Sequence, residues 1–173
     1  MERDQIAVDK INEAVPGAIE EIVDYRGERT LIIAQEHIEQ VCQLLRNDEV
    51  LDFNFLSDLS ADDLLPEFPR YVVSYHLYSI PNNHPLRLRV YVADPDNGPP
   101  TMGDIWPIAT WLEMEVWDLM GVRCVGNNSL RRLFLPEDWQ GHPLRKDYPL
   151  GYEEVQFSFN WEEINAHKPS PKE

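Results

Sequence analysis

Cysteine is scarce in this sequence: Cys42 and Cys124 are the only two in 173 residues. They lie far apart, so there is no CxxC pair, no zinc quartet and no set of four thiolates for an iron–sulfur cluster. His37, His76, His84 and His167 are scattered at spacings that match no metal-ligand pattern. The acidic group Asp58, Asp62, Asp63 and Glu67 lacks the spacing and glycine of an EF-hand and reads as a solvated loop. No metal centre held by this chain alone is expected. Positive charge is also in short supply, with 15 Lys and Arg against 31 Asp and Glu and a net charge of −16. Most of the surface therefore repels phosphate backbones, no basic face carries interleaved aromatics, and nucleic acid is not an expected partner.

Long apolar runs are missing as well. None approaches the roughly 18 residues that a bilayer span needs, and MERDQIAVDK has no apolar core behind a basic start, so a cytoplasmic chain without a membrane span is expected. There is no GxGxxG, no GxxxxGK[ST] and no glycine-flanked nucleophile elbow. His142, Asp147 and Glu137, or Ser129 with His142, could be assembled on paper into a base or nucleophile set. His142 stands directly before Pro143, however, and reads as a turn or interface residue. No catalytic site is expected.

What is present is a chain of 43% hydrophobic residues, enough for one core that buries roughly 70% of the unfolded surface. No internal repeat interrupts it. Asp4 to Ala14 carries Ile6, Val8, Ile11 and Ala14 at helical spacing, and Pro16-Gly17 ends that helix. Ile19 to Tyr25 and Arg29 to Ile33 form a hairpin through Arg26-Gly27-Glu28. Ile38, Val41, Cys42 and Leu45 mark the buried face of a helix within Gln35 to Asn47. Phe53 to Asp63 reads as a strand with Phe53, Phe55 and Leu59 on one face. Tyr71 to Ile80 and Leu86 to Val92 read as an antiparallel pair, in which Leu86, Leu88, Val90 and Val92 alternate with Arg87, Arg89 and Tyr91. After a loop from Ala93 to Gly103, Asp104 caps a helix with Pro107 in its first turn and Gly121 at its end. The fold class is α+β: a mostly antiparallel sheet covered by helices on one face, then a long helix and an extended proline-rich arm. The expected division is 1–121 for the domain and 122–173 for the arm and tail.

That last helix is apolar beyond one face. Ile105, Ile108, Ala109, Leu112, Val116 and Leu119 fall within about 60° of one direction, the core stripe. Trp106 and Trp117 lie about 100° away with Glu113 beside them, and Met114 points almost directly opposite. Either other parts of this chain cover them or a second protein does. Beyond the helix, LPEDWQGHPLRKDYPL has Pro136, Pro143 and Pro149 between cations and aromatics. Fixed proline φ values lower the entropy lost when such a ribbon is laid on a partner. Arg131, Arg132, Arg145 and Lys146 suit pairing with carboxylates, and Trp139 and Tyr148 supply anchoring area. The ribbon either wraps onto a partner or folds back on its own core.

WLEMEVWDLMGV (Trp111 to Val122) followed by SLRRLFLPEDWQGHPLRKDYPL (Ser129 to Leu150) closely resembles the signature of the C-type subunits of NADH-quinone oxidoreductase, the thirty-kilodalton subunit family of respiratory complex I. The resemblance implies a structural subunit of the peripheral arm on the cytoplasmic side of the inner membrane of a bacterium, the compact length and the absence of a transit peptide at Met1 pointing the same way. It implies a part of a proton-translocating, respiratory-chain NADH dehydrogenase with no cofactor of its own, while FMN, iron–sulfur clusters and quinone belong elsewhere in the complex. The implied partners are the hydrogenase-like, quinone-site (D-type) subunit and the B-type and I-type iron–sulfur subunits. The implied interface comprises Trp106, Glu113, Met114, Glu115, Trp117, Arg131, Arg132, Glu137, Asp138, Trp139, His142, Arg145, Lys146, Asp147 and Tyr148. Two departures stand out: the family usually has Glu-Arg-Glu at Glu113-Met114-Glu115 and Gly-His at Gly126-Asn127. Each replaces a cation or potential cation with a neutral group, and with it goes any salt bridge that the arginine would make. Membrane-bound hydrogenases and deazaflavin-dependent quinone or phenazine reductases carry similar subunits, and a free-standing acidic adaptor is the remaining alternative. In the tail, Tyr152 to Glu173, contact is expected near Trp161 and disorder at the end.

Overall fold

The computed structural model describes residues 2–149 together with Glu162 and Ala166; the expectations for Trp161 and the tail's end lie outside the described residues. Helix α1 (Glu2–Ala14) buries Ala7, Val8 and Ile11 at the expected helical spacing, and the chain leaves it through Gly17 at φ +83°. Strands β1 (Ile19–Tyr25) and β2 (Glu28–Ile33) form the antiparallel hairpin. Arg26 and Gly27 between them both take positive φ, 52° and 85°, the two-residue loop whose twist matches that of the strands. Strand β1 accommodates Glu20-Glu21 because it is a sheet edge, exposed along most of its length.

Helix α2 (Ile38–Asn47) buries Ile38, Val41, Cys42 and Leu45. Strands β3 (Phe55–Asp63), β4 (Tyr71–Ser79) and β5 (His84–Val92) complete a five-stranded sheet of order β1-β2-β5-β4-β3. Every neighbouring pair is antiparallel except β2 and β5. That exception arises because the chain returns to the middle of the sheet after a crossover containing α2. Phe55 does not share a face with Leu59. A register shift between Leu56 and Asp58 puts Leu56 and Leu59, three apart, in the core and leaves Phe55 46% exposed, since an extra residue reverses the alternation.

One continuous core joins the helices to a single face of the sheet, from Ala7, Ile11, Ile38 and Leu45 to Leu31, Tyr75, Leu88 and Val90. The final helix, α3, runs from Ala109 to Met120 rather than from Asp104. Residues 102–108 instead make turns, with Ile105 and Trp106 N–H donating to Met102 O. Pro107 disfavours helical backbone at Trp106, which moves the start beyond it. Gly121, at φ +77°, ends the helix as expected. The buried face is also rotated from the expected stripe. Ala109, Glu113, Met114, Val116, Asp118 and Met120 are buried, whereas Ile108 is 47% exposed, because the segment after α3 covers the side away from the sheet. Among the described residues no helix is long and apolar enough to cross a membrane.

Candidate docking surface around the end of helix α3

An α-helix ends with carbonyls that have no partner inside it and with a partial negative charge. Helix α3 has no basic residue in its last turn, and the proline ribbon supplies what is missing. Arg132 Nη1 and His142 Nδ1 each donate to Asp118 O at 3.0 Å. Leu144 N–H donates to Leu119 O at 3.0 Å. Arg145 Nε donates to Met120 O at 2.8 Å, and its Nη2 to Gly121 O at 3.3 Å. The ribbon is a series of tight turns, with Trp139, Arg145 and Tyr148 N–H donating to Pro136, His142 and Arg145 O, and these turns bring successive donors to successive carbonyls. Burial lowers the affinity of His142 for a second proton, and Arg145 and Arg132 push the same way against the Asp118 carbonyl, so the ring acts as a neutral Nδ1–H donor at neutral pH. A Cβ at Gly121 would stand 2.3 Å from Arg145 Nη2 and 2.5 Å from His142 Cδ2. Together with the positive φ, this predicts that Gly121→Ala costs about 2 kcal/mol in denaturant unfolding of the chain.

Asp118 organises the start of the ribbon. Its side chain is fully buried. Oδ2 accepts the backbone N–H groups of Leu133, Phe134 and Leu135 at 2.9, 2.8 and 3.1 Å, and Oδ1 accepts Arg132 Nη1 at 3.0 Å. Burial alone would raise the carboxyl's pKa, but these donors hold it below the usual carboxylate value. Arg132 continues to Trp139 O and Gly141 O at 2.7 and 3.1 Å and lies over the Trp117 ring. The end of the ribbon is fixed by a second carboxylate. Asp63, buried at the end of β3, accepts Arg70 Nη2 at 2.7 Å and Lys146 N–H at 2.8 Å, and Arg70 reaches on to Asp147 Oδ1 at 2.7 Å. The Arg70 guanidinium, assisted by the Leu65 and Lys146 N–H groups, holds the Asp63 carboxyl well below its ordinary range despite burial.

Glu113 is fully buried and is met by neutral donors. It accepts Met102 N–H at 2.7 Å, the Thr101 hydroxyl at 2.6 Å and Asn127 Nδ2 at 2.9 Å. Burial pushes its carboxyl up, and these bonds offset only part of the shift. Asn127 also donates to Thr110 O and accepts Ser129 N–H, so it ties α3 to the start of the arm.

The expected interface residues therefore divide. Trp106, Glu113 and Met114 are buried inside this chain, with the Trp106 indole donating to Phe53 O at 3.2 Å; they do not form an outward patch, because the chain after Gly121 and the turns before α3 enclose them. Arg132, His142 and Arg145 face the helix end, and Asp147 faces Arg70. Glu115, Trp117, Trp139 and Tyr148 are partly exposed, and Arg131, Glu137, Asp138 and Lys146 are exposed. Exposed beside them are Trp111 at 50%, Phe134 at 64% and Leu144 at 57%, which neither periodicity nor motif singles out. Asp118 is likewise absent from the expected interface, although an acid in the last turn of a helix opposes the dipole and so signals a special environment.

Comparison with known proteins places this geometry. The family model described as "Respiratory-chain NADH dehydrogenase, 30 Kd subunit" matches residues 31–154, a span that runs from within β2 through the ribbon. The C-type subunit of the NADH-quinone oxidoreductase of Roseiflexus sp. (strain RS-1) is 42% identical over 166 residues, covering 96% of this chain and 95% of that protein. Its counterpart from Geobacter sulfurreducens, bearing the same name, is 44% identical over 145 residues, covering 83% of this chain and 88% of that one. Among solved structures, the trypsin-resistant fragment (1–134) of Nqo5 superposes with a TM-score of 0.59 at 29% identity, covering 72% of this chain and 99% of the fragment.

Proposed function

The chain belongs to the family of the respiratory-chain NADH dehydrogenase 30 kDa subunit, and from that premise we propose that it serves as the C-type subunit of a proton-translocating NADH:quinone oxidoreductase. In this reading it is a structural piece of the peripheral arm on the cytoplasmic side of the membrane. It packs against the hydrogenase-like, quinone-site (D-type) subunit, with the B-type and I-type iron–sulfur subunits as neighbours, and residues 122–173 form its docking arm. The observation that carries the reading is the family match over residues 31–154, because those residues build most of the sheet and the pinned ribbon.

Two features of the chain support a role in assembly rather than chemistry. The ribbon is anchored internally at both ends, so Phe134 and Leu144 are presented with their ordering cost already met by folding, and Trp111 stands exposed in the first turn of α3. Exposed aromatics on such a surface are common anchors of interfaces. The thiols of Cys42 and Cys124 are buried, and burial pushes both pKa values up, away from the thiolate that a cluster needs. Among the described residues no group of three or more His, Cys, Asp and Glu could hold a metal ion. In this reading FMN, iron–sulfur clusters and quinone are carried by other subunits of the complex.

The test is purification of this chain, tagged at its N-terminus, from its native membranes in mild detergent. Co-recovery of hydrogenase-like and iron–sulfur subunits with NADH–quinone reductase activity is the expected result. The same subunits with a different electron donor would move the chain to a sister complex, and recovery of the chain alone would overturn the reading. In the same preparation Trp111→Ala should weaken association by about 1–3 kcal/mol, while the melting temperature of the isolated chain stays within about 2 °C, as for a surface substitution.

A further inference from the structure

The helices cover one face of the sheet. The register defines the other: Thr30 and Ile32 on β2 stand beside Arg87 and Arg89 on β5, which pair in turn with His76 and Ser74 on β4, and these with Asp58 and Ser60 on β3. Among the described residues, the buried apolar side chains of this face, Ile32 and Val72, stand apart from the core cluster to which the helices contribute. A sheet face of five strands is ordinarily covered by a second layer.

Two arginines stand in the middle of this face, with the acids Glu28, Asp58 and Asp62 on strands β2 and β3 to either side. In a protein of net charge −16, Arg87 and Arg89 occupy the central strand. Each is held by a hydroxyl from a flanking strand, Arg87 Nε by Thr30 Oγ1 at 2.7 Å and Arg89 Nε by Ser74 Oγ at 3.2 Å. Among the described residues their terminal nitrogens have long ion pairs, to Glu28 at 3.6 Å and Asp62 at 3.4 Å, and those acids are 72% and 59% exposed. The guanidinium groups are thus oriented but weakly satisfied, the condition in which a carboxylate excluded from water gains most. Tyr91 and Phe55 stand exposed around them, and a cleft of about 360 Å³ lined by His76, Tyr78 and Arg87 opens beside them.

We propose that this face docks an amphipathic helix of another subunit that presents two carboxylates four residues apart to Arg87 and Arg89. Side chains two apart on one face of a strand are about 6.6 Å apart, and residues at i and i+4 on a helix are about 5–6 Å apart, so the two pairs are in register. Beyond the arginines the helix lies over Tyr91, which follows Arg89 on the same face of β5. The inference rests on the chain being part of a larger complex, and it adds a second contact surface to the one at the ribbon.

The experiment is site-specific photocrosslinking in the complex purified from native membranes, with Tyr91→p-benzoylphenylalanine on the sheet face and Phe134→p-benzoylphenylalanine on the ribbon. The expected result is a Tyr91 adduct with a helix of another subunit that carries paired Asp or Glu residues. Its yield should fall at least roughly tenfold with Arg87→Glu, while the Phe134 adduct persists. A Tyr91 adduct with residues 150–173 of this chain, with a second copy or with a segment lacking paired acids overturns the proposal. So does the absence of any Tyr91 adduct when Phe134 reacts. Recovery of no other subunit would overturn the assignment to the complex as well.

Discussion

Asp118→Ala is expected to remove about 3–5 kcal/mol of stability, the range seen when one partner of a buried, hydrogen-bonded ion pair is deleted. The substitution strips the acceptor from three consecutive backbone N–H groups, those of Leu133, Phe134 and Leu135, and leaves Arg132, only 12% exposed, with carbonyls alone. At roughly 2–4 °C per kcal/mol for a chain of this size, the melting temperature followed by circular dichroism should drop on the order of 10 °C. Asp118→Asn separates the two contributions. Its carbonyl can still take the three N–H groups, but its amide meets Arg132 donor to donor. It should therefore cost clearly less than the alanine, and an equal cost would mean that the charge pair outweighs the backbone cradle. A loss below about 1 kcal/mol in Asp118→Ala would show that the ribbon's attachment does not depend on this carboxylate.

The contrast between Asp118 and the residues around it shows what the sequence could convey. Helical spacing at Ile38, Val41, Cys42 and Leu45 and alternation from Leu86 to Val92 report burial on one face, and both match the structure because each element meets a single layer. Helix α3 meets two layers. Its periodicity puts Ile108 in the core and Met114 outside it, whereas the chain beyond Gly121 covers Met114 and leaves Ile108 in the open. Phe55 differs for another reason: a one-residue bulge cannot be read from alternation when the strand's own pattern is weak. The ribbon's cations are legible as cations, but Arg132 and Arg145 meet backbone carbonyls at the end of α3, and carbonyls have no sequence signature. The long-range pairs Asp63–Arg70–Asp147 and Glu113–Asn127 likewise join positions that only the folded topology brings together. The match of motif to family is untouched by these differences, because it rests on the side chains themselves and not on where they point.

Asp63→Asn is expected to destabilise the chain by about 2–4 kcal/mol at pH 7 and by progressively less as the solution is acidified. Asp63 is 1% exposed, and its folded pKa is depressed below 3.8 chiefly by the Arg70 guanidinium. Its ionised form is therefore favoured in the folded state. That contribution is complete above the unfolded pKa of about 3.9 and disappears as pH falls through the lower folded value. Urea unfolding of both forms at pH 7, 4 and 2.5 should show the gap between the two curves nearly full at pH 4 and narrowed, but not closed, at pH 2.5. A pH-independent difference would assign the cost to packing and not to charge. The variant replaces one of the two acceptor oxygens with a donor, and so gives up either Lys146 N–H with Arg70 Nη2 or Leu65 N–H with Arg70 Nε; the end of the ribbon should become cleavable near Lys146 by trypsin while Arg132 stays protected. Since the same carboxylate sets the ordering of the proposed docking surface, loss of the Asp63 clamp should weaken assembly even at temperatures where the sheet remains folded. The entropy of fixing Leu144 to Asp147 then has to be met by the partner at the moment of binding.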